Sequence, residues 1–129
     1  MARNIIDLPT LGDDGKLYRD TAVDMVESLI PNLWKSCHAP DLLELENGDL
    51  LCCWFAGSRE GNADISIAVA RLPADAEQWE QPVIVSDDPT RSEQNPSLFQ
   101  NPNGDIWLMY TAQATKKPDD NRPEAARRG

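Results

Sequence analysis

The chain has 129 residues, of which 40% are hydrophobic and 26% charged, and ten are prolines. This composition predicts one globular domain at most, in which loops and turns prevail over long helices. The formal net charge of −10 argues against nucleic acids and anionic membranes as partners, because both require a cationic protein surface. No stretch of the sequence approaches the ~20 apolar residues that a membrane span needs.

The first 20 residues form an N-terminal segment without the long apolar core of a signal peptide. Residues 21–30 (TAVDMVESLI) fit either a helical turn or a strand, and we favour a strand. The cysteines are odd in number, and the adjacent Cys52 and Cys53 would point to opposite faces of a strand. We therefore expect buried free thiols, no metal site and a cytoplasmic protein.

A repeat dominates the middle of the sequence. Residues 39–56 (APDLLELENGDLLCCWFA) align with residues 95–112 (NPSLFQNPNGDIWLMYTA) at a shift of 56 positions. Each copy consists of a short apolar run, an Asn-Gly pair and a longer apolar run. Asn-Gly between apolar runs is the strongest short hairpin signal, because both residues tolerate a positive φ. The sequence therefore predicts two equivalent β-hairpins.

Two further strands are predicted between the copies, at residues 64–71 (DISIAVAR) and 82–86 (PVIVS). A hairpin followed by two strands within about fifty residues is typical of a propeller blade. We therefore predict an all-β fold, a β-propeller fragment of about one and a half four-stranded blades. The blades occupy residues 21–114, the first at about 38–87 and the second begun at residue 95.

Residues 115–129 are polar and charged, and we expect them to be a disordered tail. A closed propeller needs at least four blades, which this chain does not supply. We expect the chain to be a truncated piece of a longer protein, or to associate with itself through unpaired strand edges.

In a propeller the loops before the first strand and after the second strand of each blade meet at one face. Loops held together on a rigid scaffold are where binding and catalysis usually occur. The candidate catalytic residues there are His38 and Asp64, and the candidate substrate-binding residues are Arg59, Glu60, Arg91, Gln94, Asn95 and Gln113.

Each candidate also has a purely structural interpretation. His38 could be a structural hydrogen-bonding residue, and Asp64 could cap the preceding turn. Arg59 with Glu60, and Arg91 with Glu93, could be surface ion pairs worth under ~1 kcal/mol. What favours a functional interpretation is that all of these residues are expected at the same face of the propeller, and no single residue favours it by itself.

Residues 37–64 (CHAPDLLELENGDLLCCWFAGSREGNAD) resemble the opening of sialidases and of bacterial sialidase-like proteins with Asp-box (BNR) repeats. Residues 91–113 resemble the second blade of the same group. The resemblance implies a glycoside hydrolase propeller that acts on glycans without a cofactor. It places Asp64 at the position of the family's acid/base aspartate, where a carboxylic acid kept protonated by burial protonates the leaving oxygen.

Two family motifs are altered in this chain. The family's Arg-Ile-Pro motif, whose arginine grips the substrate carboxylate, is replaced by His38-Ala39-Pro40. Histidine lacks the permanent, bidentate grip of arginine. Of the Asp-box, Ser-x-Asp-x-Gly-x-x-Trp, only Trp79 remains.

Two alternative functions stay open. The first is a non-catalytic carbohydrate-binding or scaffold propeller module, in which the shared face serves recognition alone. The second is a polysaccharide lyase-like propeller that uses His38 as a base. Whichever of the three functions the full-length protein has, we expect the 129-residue chain by itself to be inactive.

Overall fold

The computed structural model describes residues 5–7 and 11–115. These residues form nine β-strands and no helix, which confirms the all-β class. The strands are, in chain order, β1 (Ile6–Asp7), β2 (Tyr18–Asp20), β3 (Met25–Glu27), β4 (Ser36–Glu44), β5 (Leu50–Gly57), β6 (Ser66–Leu72), β7 (Val83–Ile84), β8 (Arg91–Gln100) and β9 (Ile106–Ala114). Three sheets result, in the strand orders β1-β2-β3, β4-β5-β6-β7 and β8-β9.

The first repeat opens the four-stranded antiparallel sheet, which we call module 1 (β4–β7). Its strand β5 is buried from Leu51 to Gly57, because β4 and β6 cover its edges and other parts of the chain cover its faces. The two strands predicted after the hairpin are both present as β6 and β7. The second is shorter than predicted, with only two residues in the ladder.

The backbone conformation of the two hairpins repeats at the same shift of 56 positions. Ala39 in β4 and Asn95 in β8 both take a positive φ, of 54° and 52°. Each lies at a β-bulge where the register of its hairpin shifts. A positive φ is uncommon for residues other than glycine, so its recurrence at equivalent positions shows that the two hairpins share one backbone geometry. We call the second hairpin, β8–β9, module 2.

The Asn-Gly turns join the strands of both hairpins, but only the glycine of each pair takes a positive φ, 89° at Gly48 and at Gly104. Gly48 N donates to the Leu45 carbonyl oxygen at 2.9 Å, and Leu45 N donates to the Asp49 carbonyl oxygen at 2.8 Å. This is the pattern of a type I turn followed by a left-handed glycine, which closes a three-residue loop. The same two bonds recur 56 positions later.

Asp49 forms hydrogen bonds that connect the β4–β5 turn to the rest of module 1. Its carboxylate accepts hydrogen bonds from Arg71 Nε and from Ala74 N, each at 2.8 Å. The Arg71 guanidinium, followed by the Ala74 bond, lowers the pKa of Asp49 below its usual value. The turn end of module 1 is therefore held by a charged contact within its own sheet.

The N-terminal segment covers one face of module 1. Trp79, the tryptophan that remains of the Asp-box pattern, is buried there together with Leu17. Trp79 N donates to the Gly15 carbonyl oxygen at 2.9 Å. The described part of the segment therefore contributes to the folded core through Leu17 and the partly buried Ile5.

The strand predicted over residues 21–30 is shorter than expected. Only Met25–Glu27 is extended, and residues 21–24 form a turn that leads into it from β2. The Asp20 carboxylate accepts a hydrogen bond from Ala22 N at 3.0 Å, as aspartate does in turns that it starts. The resulting β2–β3 hairpin spans the division that we placed between residues 20 and 21.

Modules 1 and 2 are separate sheets, joined to each other by hydrogen bonds. The Asp41 carboxylate in β4 accepts hydrogen bonds from Leu98 N at 2.8 Å and Ser97 Oγ at 3.4 Å. Near the turns, Glu46 N donates to Gln100 Oε1 at 3.0 Å. Leu98 also completes a buried cluster with module 1, whose fully buried members are Cys53, Ile65 and Ile67.

The predicted disordered tail lies outside the described residues except for Thr115. Within the described part of the chain, no helix has the length and apolar character that crossing a membrane requires.

Candidate functional site

At one end of each module lie the longer connections between strands, and at the opposite end lie the Asn-Gly turns. In module 1, His38 near the start of β4 lies opposite Phe55 near the end of β5. In module 2, Arg91 at the start of β8 lies opposite Ala114 at the end of β9. We call this end the loop end and define it as residues 36–38, 57–65, 86–95 and 111–114. All eight predicted site residues belong to it.

The loop between β5 and β6 is held together by its own polar groups. The Asp64 carboxylate accepts a hydrogen bond from Ser58 N at 3.3 Å. Asn62 Nδ2 donates to Ser58 Oγ at 3.1 Å, and Asn62 N donates to the Arg59 carbonyl oxygen at 3.1 Å. Asp64 therefore caps the loop, as the structural interpretation predicts, and it is exposed.

Gly57 lets the two ends of this loop approach each other closely. A Cβ atom at this position would lie 2.7 Å from the Asp64 carbonyl oxygen and 2.8 Å from Ile65 Cδ1. Real Cβ atoms do not approach other atoms so closely, so only glycine fits without a shift of the loop. The position of Asp64 thus depends on the absence of a side chain at the end of β5.

His38, Arg59 and Glu60 are exposed at the loop end. The imidazole of His38 packs on the ring of Phe55, with 5.4 Å between ring centroids and 32° between the ring planes. This contact gives His38 a structural role as well as an accessible ring. Arg59 and Glu60 lie on the capped loop beside Asp64.

Arg91 does not pair with Glu93, so the predicted surface ion pair is wrong. Arg91 Nε lies 3.8 Å from Asp88 Oδ2, and Arg91 Nη1 donates to the Ala112 carbonyl oxygen at 3.3 Å. Hydrogen bonds from the Thr90 hydroxyl and amide lower the pKa of Asp88 below its usual value. Arg91 is exposed and is held across the start of the β8–β9 hairpin.

The three amide residues of the predicted site differ in accessibility. Gln94 is 6% exposed, and its Nε2 donates to Ser92 Oγ at 2.8 Å. Its amide is therefore buried and engaged in a hydrogen bond within the protein, not presented to a ligand. Gln113 Nε2 donates to Thr111 Oγ1, two residues earlier on the same strand, at 3.3 Å. Asn95 is exposed at the bulge of β8. Of these amides, Asn95 is the one presented to solvent.

Glu93 is the residue that sequence reasoning misses. It is 1% exposed and accepts a hydrogen bond from Ser86 Oγ, which itself accepts one from Ile67 N at 2.8 Å. Glu93 N also donates to the Ile65 carbonyl oxygen at 3.0 Å. The Glu93 amide thus binds β8 to the residue that follows Asp64, and its carboxylate links β8 through Ser86 to Ile67 of β6. The repeat carries a signal for its burial, because Glu93 aligns with the partly buried Cys37.

A cavity of 560 Å³ lies between the N-terminal segment and module 1, lined by side chains that include Leu17, Leu72 and Trp79. None of the eight predicted site residues lines it. Within the described ranges, no group of three or more His, Cys, Asp or Glu side chains is placed to hold a metal ion.

Comparisons with curated proteins and with solved structures gave no match. A comparison with family models matched the BNR repeat-like domain over residues 48–124, which is more than half of the chain. The match runs from the turn of the first hairpin past the end of the second, so it includes β5, β6 and β7 of module 1 and the whole of module 2. The chain belongs to the family of BNR repeat-like domains.

Proposed function

We propose that this chain is the N-terminal portion of a sialidase-like β-propeller that hydrolyses glycans, with its site at the loop end. The observation that carries the proposal is the recurrence of one hairpin module, at a shift of 56 positions, within a BNR repeat-like family. Successive modules packed face to face are the way in which a propeller is built. The packing of Leu98 of module 2 against module 1 supports that arrangement.

In the proposed mechanism, Asp64 protonates the oxygen of the leaving group. Asp64 is exposed among the described residues. The burial that keeps such an acid protonated therefore has to come from the bound glycan or from further blades. The loop cap by Ser58 N and the close approach at Gly57 support the role by fixing where Asp64 lies.

Arg59, Arg91 and Asn95 are proposed to contact the glycan, because they are exposed at the loop end. His38 takes the place at which the resembled family has a carboxylate-binding arginine. An imidazole cannot form the bidentate pair that arginine makes with a carboxylate. The proposed substrate class is therefore a glycan whose recognition does not depend on that arginine.

The test is turnover of a panel of aryl glycosides and natural glycans by the 129-residue chain and by any longer form encoded beyond Gly129. We expect activity to require further blades, and Asp64→Asn to reduce kcat by about 10²–10⁴-fold through loss of the proton donor. Glu80→Gln is the control, because Glu80 is an exposed carboxylate in the β6–β7 connection, outside the loop end. Unchanged turnover in Asp64→Asn would discard the assignment.

The same panel separates the two alternatives. A lyase-like enzyme would release an unsaturated sugar, detected by its ultraviolet absorbance, and would lose activity in His38→Ala. Glycan binding without product release would identify a carbohydrate-binding module.

A further inference from the structure

The strand β9 has an edge with which no other described strand pairs. Its equivalent in module 1, β5, pairs with β4 on one edge and β6 on the other. The side chains of β5 are buried after Leu50, whereas those of β9 are exposed except for the half-buried Leu108 and Gln113. Leu51, Cys53 and Trp54 are exposed by 6%, 0% and 7%, and their equivalents Trp107, Met109 and Tyr110 by 52%, 54% and 41%.

The hydrogen-bond pattern shows which backbone groups face this open edge. Asn101 N donates to the Asp105 carbonyl oxygen at 2.9 Å. Because bonded positions alternate along an antiparallel strand, residues 105, 107 and 109 bond to β8, and residues 106, 108 and 110 direct their N–H and C=O groups outward. In β5 the equivalent outward groups pair with β6.

Nothing in β9 protects this edge from another strand. Its sequence, IWLMYTAQA, contains no charged residue, no proline and no glycine, in a chain of which 26% is charged. Single edge strands are normally protected by charges, prolines or bulges. Uncharged strands rich in β-forming residues pair readily with identical strands.

We propose that, in the 129-residue chain by itself, β9 pairs antiparallel with β9 of a second copy across a two-fold axis. In a longer form that carries the further blades of the proposed propeller, the next strand of the blade would take this edge instead. The antiparallel orientation is the one in which β6 pairs with β5. It gives a sheet with the order β8-β9-β9-β8, which has four strands as module 1 has. The lack of charge in β9 lets two copies, each with a net charge of −10, meet here without opposing like charges. Because the contact is isologous, assembly stops at the dimer.

Light scattering coupled to size exclusion tests the proposal on the full chain. The expected mass is twice the 14.4 kDa of the monomer. Tyr110→Pro removes an outward N–H and spares the bonds to β8, and Tyr110→Lys places two cations in the contact. Both variants are expected to halve the mass. Val83→Lys is the matched control, because Val83 is an apolar residue, 58% exposed, on the outer edge strand β7. It should remain a dimer.

A monomeric wild-type protein at its solubility limit overturns the proposal, as does a dimer that persists in both Tyr110 variants. Species larger than the dimer overturn it too, because they indicate open-ended packing. Hydrogen exchange of the wild-type protein provides a test that does not depend on the folding of a variant. The amides of Ile106, Leu108 and Tyr110 should exchange more slowly as protein concentration rises, and exchange independent of concentration contradicts the pairing.

Discussion

Cys52 and Cys53 are neighbours in β5, and one contributes to each of the two buried clusters of module 1. The sequence predicts this division, because adjacent side chains of a strand point to opposite faces. Both thiols are free, as expected. Burial, assisted by the Asp41 carboxylate, raises the pKa of each to about 11.

The raised thiol pKa values predict a loss of stability at alkaline pH. The folded state holds these protons more tightly than the unfolded state, in which the thiols titrate near their ordinary pKa of 9. The contribution of the thiols to the free energy of unfolding should therefore be constant below pH 9 and fall as the pH rises towards 11, by roughly 2 kcal/mol per thiol. Urea unfolding at a series of pH values measures this slope.

The double variant Cys52→Ala, Cys53→Ala is the control for the alkaline slope. Its free energy of unfolding should be lower at neutral pH but should fall less steeply between pH 9 and 11. Tyr18, whose pKa is raised by its hydrogen bond to Asp14, still titrates in the variant and accounts for a residual slope. Equal slopes in the two proteins would show that the thiols do not control the alkaline transition.

The hairpins are the elements that the sequence predicts best. Their apolar runs and Asn-Gly pairs fix two strands and a turn by local chemistry alone, and repetition confirms the register. The turn type is less predictable, because Asn-Gly fits both a two-residue loop and a three-residue loop with glycine last. Only the hydrogen bonds of Leu45 with Gly48 and Asp49 distinguish them.

Gly48 and Gly104 form a matched pair for measuring the cost of these turns. Both have φ of 89°, so substitution by alanine introduces backbone strain of about 1–3 kcal/mol at either position. A Cβ at Gly48 also meets Ala74 Cβ at 3.3 Å, whereas a Cβ at Gly104 has its nearest neighbour, Gln100 Nε2, at 4.0 Å. Gly48→Ala should therefore destabilise the protein more than Gly104→Ala, as measured by urea unfolding. The opposite order would mean that the backbone strain of the two turns differs.

At the scale of the whole molecule, the sequence predicts which loops share an end but not how that end is held. The repeat and the strand order place Asp64 and Asn95 at the loop end without any knowledge of contacts. The burial of Gln94 and Glu93 depends on how closely module 2 packs against module 1, and no local pattern encodes that distance. A glutamate in a polar stretch suggests a surface residue, which is why Glu93 is missed.

Glu93 therefore offers the sharpest test of how the modules are joined. Glu93→Ala leaves the buried Ser86 hydroxyl without its acceptor and should destabilise the protein by about 1–3 kcal/mol, whereas Glu93→Gln keeps an acceptor oxygen and should cost less. Ile67 N, which donates to Ser86 Oγ, should exchange its hydrogen faster in Glu93→Ala than in Glu93→Gln. Glu44→Ala, at an exposed carboxylate in β4, should change stability by no more than about 0.5 kcal/mol. If Glu93→Ala is as stable as Glu44→Ala, the buried carboxylate does not join the modules, and the placement of Asp64 must rest on its own loop.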